Sequence, residues 1–413
     1  MSNTQKKNVP ELRFPGFEGE WEEKKLGDLT DRVIRKNKNL ESKKPLTISG
    51  QLGLIDQTEY FSKSVSSKNL ENYTLIKNGE FAYNKSYSNG YPLGAIKRLT
   101  RYDSGVLSSL YICFSIKSEM SKDFMEAYFD STHWYREVSG IAVEGARNHG
   151  LLNVSVNDFF TILIKHPSLE EQQKIGKFFS KLDRQIELEE QKLELLQQQK
   201  KCYMQKIFSQ ELRFKDENGE DYPDWKEKKL GDITEQSMYG IGASATRFDS
   251  KNIYIRITDI DEKSRKLNYQ NLTTPDELNN KYKLKRNDIL FARTGASTGK
   301  SYIHKEEKDI YNYYFAGFLI KFEIDEQNNP LFIYQFTLTS KFNKWVKVMS
   351  VRSGQPGINS EEYAKLPLVL PNKLEQKKIA EFLDRFDQQI ELEKQKIEIL
   401  QQQKKGLLQS MFI

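Results

Sequence analysis

Two basic side chains carry most of the chemistry available to this sequence. Lys85 leaves a strand-like run within FAYNKSYSNGYPLG (Phe81–Gly94), and Arg293 leaves another within FARTGASTGK (Phe291–Lys300). Each run opens into a turn of Gly and small hydroxylated residues. A second pair of loops, GARNHG from Gly145 and SVRSGQPG from Ser350, precedes two long helical stretches. Arg and Lys contact phosphates or guanine edges, Asn and Gln read adenine, and Gly lets a backbone approach closely. The candidate DNA-binding residues in the first half are Lys85, Ser86, Tyr87, Asn89, Tyr91, Arg147 and Asn148. In the second half they are Tyr239, Arg293, Thr294, Ser297, Thr298, Lys300, Arg352 and Gln355, the tyrosines of both sets being suited to pack on sugars or bases. Solvated turns, whose Gly residues serve only backbone geometry, have the same composition.

Other chemistries fail on spacing. Gly295-Ala-Ser-Thr-Gly299-Lys300-Ser301 has three residues between its glycines, where a phosphate-wrapping loop needs four. Gly240-Ile-Gly242-Ala-Ser-Ala245 follows polar sequence and opens no helix, so the context of a dinucleotide fingerprint is missing. Asn329-Pro330-Leu331-Phe332 faintly resembles an amino-methyltransferase tetrapeptide but lacks its second proline, and the Pro is better placed as a helix start. Pro223-Asp224 with Glu227 and Lys229 is too compressed for a metal nuclease. The four histidines, His133, His149, His166 and His304, make no metal spacing and no catalytic set, and Cys113 and Cys202 suggest neither a disulfide framework nor a zinc site. No catalytic residue and no metal ligand is expected.

These loops need elements to hold them, and the strongest signal is a duplication. EQQKIGKFFSKLDRQIELEEQKLELLQQQKK from Glu171 returns without gaps as EQKKIAEFLDRFDQQIELEKQKIEILQQQKK from Glu375. Apolar residues recur at alternating steps of four and three, the heptad seam of paired helices of about 37 residues, roughly 55 Å long. The seam includes Ile186, Leu193 and Leu196 in the first copy and Ile390, Ile397 and Leu400 in the second. Glu189 and Lys200, with Glu393 and Lys404, interrupt it. An antiparallel register facing Glu189 with Lys404 and Lys200 with Glu393 also sets Leu193 against Leu400 and Leu196 against Ile397. The entry segment is repeated as well: ELRFPGFEGEWEEKKLGDLT ends at Thr30, and ELRFKDENGEDYPDWKEKKLGDIT runs from Glu211 to Thr234. The chain therefore reads as globular half, helix, globular half, helix, a cyclic two-fold repeat cut open at one joint. Antiparallel helices let one compact domain close each end.

Within the halves, strand-like runs begin at Tyr111 (YICFSI), Phe159 (FFTILI), Asn252 (NIYIRI), Asp288 (DILFAR) and Ala316 (AGFLIKF). DFMEAYFDSTHWYREV and PLFIYQFTLTSKFNKWV read as helical. The formal charge of +6 over 413 residues is compatible with a polyanion partner. No apolar run of about 18 residues appears, so no membrane association is expected, and the sparse cysteines fit a reducing cytoplasm.

The EQQKI and EQKKI helix starts, the heptad helices, the repeated W-EKKLGD entry and the FARTGASTGK turn together resemble the DNA-specificity subunit of type I restriction-modification systems, over nearly the whole chain. The resemblance implies an α+β fold of two mixed α/β target-recognition domains joined by two long antiparallel coiled-coil helices in a pseudo-two-fold cyclic repeat. Its divisions would be 1–168, target-recognition domain 1; 169–210, central helix; 211–372, target-recognition domain 2; and 373–413, C-terminal helix. It further implies a non-catalytic subunit, each domain reading one half of a split site in double-stranded DNA. Two methyltransferase subunits would dock on the helices, joined by endonuclease/translocase subunits. S-adenosylmethionine, ATP and Mg would act in those partners and no cofactor in this chain. The rival reading is a coiled-coil scaffold joining two protein-binding domains without DNA recognition; it leaves the cation-led loops unexplained.

Overall fold

The computed structural model describes residues 8–50, 52–61, 69–87, 90–142, 152–305 and 310–413. Two compact units emerge: Met1–Gln191 with Lys394–Ile413, and Lys192–Glu393. The central helix spans Leu169–Phe208 and the C-terminal helix Lys373–Met411, so each unit owns part of both.

In the first unit, β1 (Glu22–Lys25) pairs with β6 (Leu163–His166), and a four-stranded antiparallel sheet is built from β2 (Thr30–Arg32), β3 (Phe81–Asn84), β4 (Ala95–Arg98) and β5 (Tyr111–Ile116) in the order β2-β5-β3-β4. The second unit repeats this frame. There β7 (Lys226–Lys229) pairs with β12 (Pro367–Leu370), and β8 (Thr234–Tyr239), β9 (Ile289–Ala292), β10 (Ser301–Ile303) and β11 (Leu319–Ile324) lie in the order β8-β11-β9-β10. The middle strands are rich in aromatic and β-branched residues because both faces are covered. Phe81, Tyr83 and Phe114 in one unit, and Phe291, Ile320 and Phe322 in the other, are fully buried or nearly so.

The repeated motifs have a direct structural meaning. At the start of the central helix, Glu171 is 1% exposed and takes two hydrogen bonds of 2.7 Å from the Arg13 guanidinium. Its counterpart Glu375 takes the same pair from Arg213 at 2.9 and 2.8 Å. The next residue ties helix to domain: Gln172 donates to the Pro167 carbonyl and accepts from Ser121 N, and Gln376 donates to the Pro371 carbonyl and accepts from Asn329 N. Buried charge is tolerable only when paired and hydrogen-bonded, so the Glu-Gln of each helix and the Arg of each ELRF must recur together.

Three readings of local structure need correction. FFTILI is not one strand: Phe159 ends a short helical turn, Val156–Phe159, that Ser155 caps at Asp158 N, and only Leu163 and Ile164 enter β6. Both long helical stretches are broken in two. Lys122–Asp130 is separated from Tyr135–Ile141, and Pro330–Thr337 from Ser340–Met349, where the Thr339 side chain accepts from Phe342 N and starts a new helix.

The ten seam residues are all buried or half-buried. The ion pairs, however, run in a different register from the expected one. Lys404 meets Asp183 at 2.6 Å and Asp130 at 2.7 Å, not Glu189, which pairs with Lys396. In the second unit the same geometry recurs with Lys200 on Asp387 at 2.6 Å and Glu393 on Lys192 at 2.7 Å. Both lysine pairs are offset by six residues from the expected partners, Asp183 in place of Glu189 and Asp387 in place of Glu393, which seam spacing alone does not reveal. The helices also expose Leu188, Leu195, Leu392 and Ile399 at 48 to 65%. Their outward faces are thus not purely Glu, Gln and Lys.

Candidate nucleic-acid interface

The Arg293 turn is held from three sides. Arg293 N donates to the Phe318 carbonyl at 3.1 Å, and its own carbonyl accepts from Ile358 N at 2.9 Å. Gly295 N donates to the Pro356 carbonyl at 2.9 Å, Thr298 Oγ1 to the same carbonyl at 3.2 Å, and Thr294 bridges Gly357. The loop from Ser350 is therefore laced to the FARTGASTGK turn, which draws two distant sequence features into one surface. Gly299 is obligatory there: its φ is +87°, and a Cβ would lie 2.5 Å from the Val346 side chain.

Arg293 lies with its guanidinium 4.9 Å from the Tyr239 ring centroid and 6.0 Å from that of Phe318. Among the described residues it forms no ion pair, and its buried Nε meets no partner. Tyr239 is 39% exposed, and its hydroxyl accepts from Ser360 N at 3.1 Å. A planar cation stacked on an aromatic and free of a carboxylate is ready for a phosphate or a guanine edge. Gln355 is exposed on the adjoining loop, and Ser297 is half-buried on the turn.

Two basic residues of this set are engaged elsewhere. Lys300, expected at DNA, is buried here, donating to the Ile260 carbonyl and pairing with Glu262 at 2.7 Å. Arg352 is exposed but grips both oxygens of Glu362 and two backbone carbonyls. Its charge is largely compensated.

In the first unit, Lys85 follows β3 as Arg293 follows β9, and its carbonyl accepts from Leu152 N at 2.9 Å as that of Arg293 accepts from Ile358 N. The equivalence read from the sequence is thus one of backbone geometry. Lys85 Nζ donates to the Val154 carbonyl at 3.3 Å and meets no carboxylate among the described residues. Ser86 N donates to Asn84 Oδ1, and Tyr87 stands 63% exposed beside it. Tyr91, expected at DNA, is turned inward, its hydroxyl donating to the Gly50 carbonyl at 2.8 Å and its ring where a Cβ on Gly50 would clash. Asn89, Arg147 and Asn148 lie outside the described residues.

Two exposed apolar residues went unnoticed in the sequence. Phe318 is 60% exposed immediately before β11, and Leu110 is 54% exposed immediately before β5. Phe318 lies within AGFLIKF, where the strand pattern hides it. Among the described residues no group of three or more His, Cys, Asp or Glu could hold a metal ion, and no helix is long and apolar enough to cross a membrane.

A family model described as the type I restriction modification DNA specificity domain matches residues 18–198 and again 222–402. The chain is 26% identical over 427 aligned positions to the type I restriction enzyme MjaVIII specificity subunit of Methanocaldococcus jannaschii, covering 97% of this chain and 93% of that protein. It is 28% identical over 201 positions to the HindI specificity subunit of Haemophilus influenzae, covering 46% of this chain and 41% of that one. A crystal structure of the type I restriction-modification S subunit from M. genitalium shares the fold at a TM-score of 0.61, with 16% identity and coverage of 98% and 99%. A chain from a structural study of complex assembly and conformational transition in a type I R-M system aligns at 0.53, with 16% identity and the same coverage.

Proposed function

Given that the chain belongs to the type I restriction-modification DNA specificity family, we propose that it selects the DNA of such a complex, each unit reading one half of a bipartite duplex site. The carrying observation is the recurrence, in units whose loops share little sequence, of one frame presenting at one position a cation, Lys85 or Arg293, that meets no carboxylate among the described residues. Arg293, propped on Tyr239, contacts a base edge or phosphate of one half-site, and Lys85 with Tyr87 serves the other.

The long helices set the unspecified spacer between half-sites and dock two methyltransferase subunits, with endonuclease/translocase subunits completing the assembly. Exposed Leu188 and Ile399 in one unit, and Leu195 and Leu392 in the other, supply apolar ground for that docking. The chain itself is non-catalytic in this reading. S-adenosylmethionine, ATP and Mg act in the partners, and the assembly works in the cytoplasm.

The test is co-expression with the methyltransferase subunit of its own genome, followed by sequencing of host DNA for N6-methyladenine. A split motif with a fixed spacer is expected. Exchange of residues 211–370 should change one half alone, and Arg293→Ala should relax recognition in that same half, with Lys85→Ala acting on the other. A well-formed complex that methylates nothing would favour the scaffold reading; a variant that alters both halves equally would refute the assignment of one unit to one half-site.

A further inference from the structure

Phe318 is a large aromatic side chain left 60% exposed on a turn that is not free to move. Leu319 N donates to the Ala316 carbonyl at 2.8 Å, closing the turn, and Gly317 N donates to the Ile241 carbonyl at 2.8 Å. On the other side Arg293 N holds the Phe318 carbonyl. The neighbouring Gly240 comes so close that a Cβ there would lie 2.3 Å from the carbonyl oxygens of Phe315 and Ala316. The backbone therefore projects this ring into solvent by construction, and burial elsewhere would recover the free energy its exposure withholds.

The first unit does the same with unrelated sequence. Tyr111 N donates to the Ser108 carbonyl, the same three-residue closure as Leu319 to Ala316, and Leu110 occupies the place of Phe318. Leu110 is 54% exposed. Both residues adjoin the strand that runs beside the one that Lys85 or Arg293 follows. One exposed apolar residue in each unit, next to the cation of that unit, is a recurrent arrangement, not a stray surface hydrophobe.

Resting on the proposed DNA reading, we propose that Phe318 is a wedge that stacks on a base at a deformable step of the half-site read by Arg293, with Leu110 as its aliphatic counterpart on the other half-site. Proteins that insert apolar side chains between base steps use Phe and Leu for the purpose, and pyrimidine–purine steps yield most readily. The cation 6.0 Å from the Phe318 ring suits this role, since a guanidinium beside the inserted ring can hold the phosphate of the unstacked step. Phe can both wedge and stack, whereas Leu can only wedge, so the two units would impose different selectivity at the inserted step.

The experiment uses the chain in complex with its methyltransferase subunits and duplexes of the methylated site carrying 2-aminopurine at successive positions. Wild type should change the fluorescence at one step of the half-site read by the second unit. Phe318→Ala should abolish that signal and weaken binding roughly 5- to 150-fold, the range for loss of one base–aromatic stack. Phe318→Trp should restore both, and Leu110→Ala should affect only the opposite half-site. If Arg293→Ala weakens its half-site while Phe318→Ala binds within two-fold of wild type with the signal intact, the wedge is refuted and the DNA reading stands. If neither variant changes DNA binding, the DNA reading itself fails and the wedge with it. Loss of methyltransferase retention in Phe318→Ala, with DNA binding unchanged, would make Phe318 a protein contact and overturn the proposal.

Discussion

Lys404 offers the sharpest test of the helix register. Its ammonium lies 2.7 Å from Asp130 and 2.6 Å from Asp183, and its side chain is only 16% exposed. Burial disfavours its charge, but the two carboxylates outweigh that and hold it above the ordinary lysine range. Burial likewise favours a neutral Asp130, yet Lys97 and Lys404 hold it well below the usual carboxylate range. Removing one partner of a buried pair usually costs about 3–5 kcal/mol. Here Lys97 remains 2.6 Å from Asp130, so Lys404→Ala should cost about 2–3 kcal/mol of local stability in the first unit. In double-mutant cycles the coupling of Lys404 with Asp130 should be about 2 kcal/mol, and that with the half-exposed Asp183 about 0.5–1 kcal/mol. Lys404 with Glu189 should show almost none, since Glu189 pairs with Lys396. Native-state hydrogen exchange on peptides from 169–191 and 394–413 reads these energies locally, without assuming that the whole chain unfolds in one step. A Lys404–Glu189 coupling as large as that of Lys404 with Asp130 would refute this register and restore the one suggested by seam spacing.

Two further predictions concern the joint of the repeat and the acid limb of stability. Leu12 N donates to the Ser410 carbonyl at 2.8 Å, as Leu212 N does to the Lys206 carbonyl at 3.0 Å inside the continuous chain. A permutant that joins Ile413 to Glu11 through one Gly, in place of Gln210 with its φ of +64°, and opens between Ser209 and Glu211 should keep its fold and its methylation motif. Circular dichroism and motif sequencing of the permutant check this, and an unfolded product would count against the ring-like repeat. His304 is 2% exposed, its Nε2 has no partner among the described residues, and burial lowers its pKa to about 4. Because the folded value lies below the unfolded one of 6.5, the stability it confers is complete above pH 6.5 and lost as pH falls toward 4, by about 3 kcal/mol at most. His304→Phe should flatten that acid limb in the second unit alone; melting curves from pH 4 to 8 with an unchanged slope would exclude the effect.

The duplicated frame was legible because helix seams and entry motifs repeat residue for residue, and each repeat answers to one contact, such as Arg13 on Glu171 or Arg213 on Glu375. What stayed illegible depends on distances between elements far apart in sequence. Lys300 looked like the cation of a loop, yet Glu262 and the Ile260 carbonyl claim it from another segment. Lys404 looked like a partner for Glu189, but Asp130 comes from a helix of the globular half, far from the seam in sequence. Phe318 was hidden for the opposite reason: AGFLIKF has the pattern of a strand, and only the closed turn before β11 turns that ring outward. Charged side chains are therefore the residues whose roles change most on folding, because any nearby carboxylate or carbonyl can capture them. Arg293 is informative in this light. It lies over the Tyr239 ring and meets no carboxylate among the described residues. A guanidinium placed beside an aromatic ring keeps its planar donors in a fixed geometry, and that is the geometry the proposed DNA reading uses, since phosphates and guanine edges both accept from such a fork.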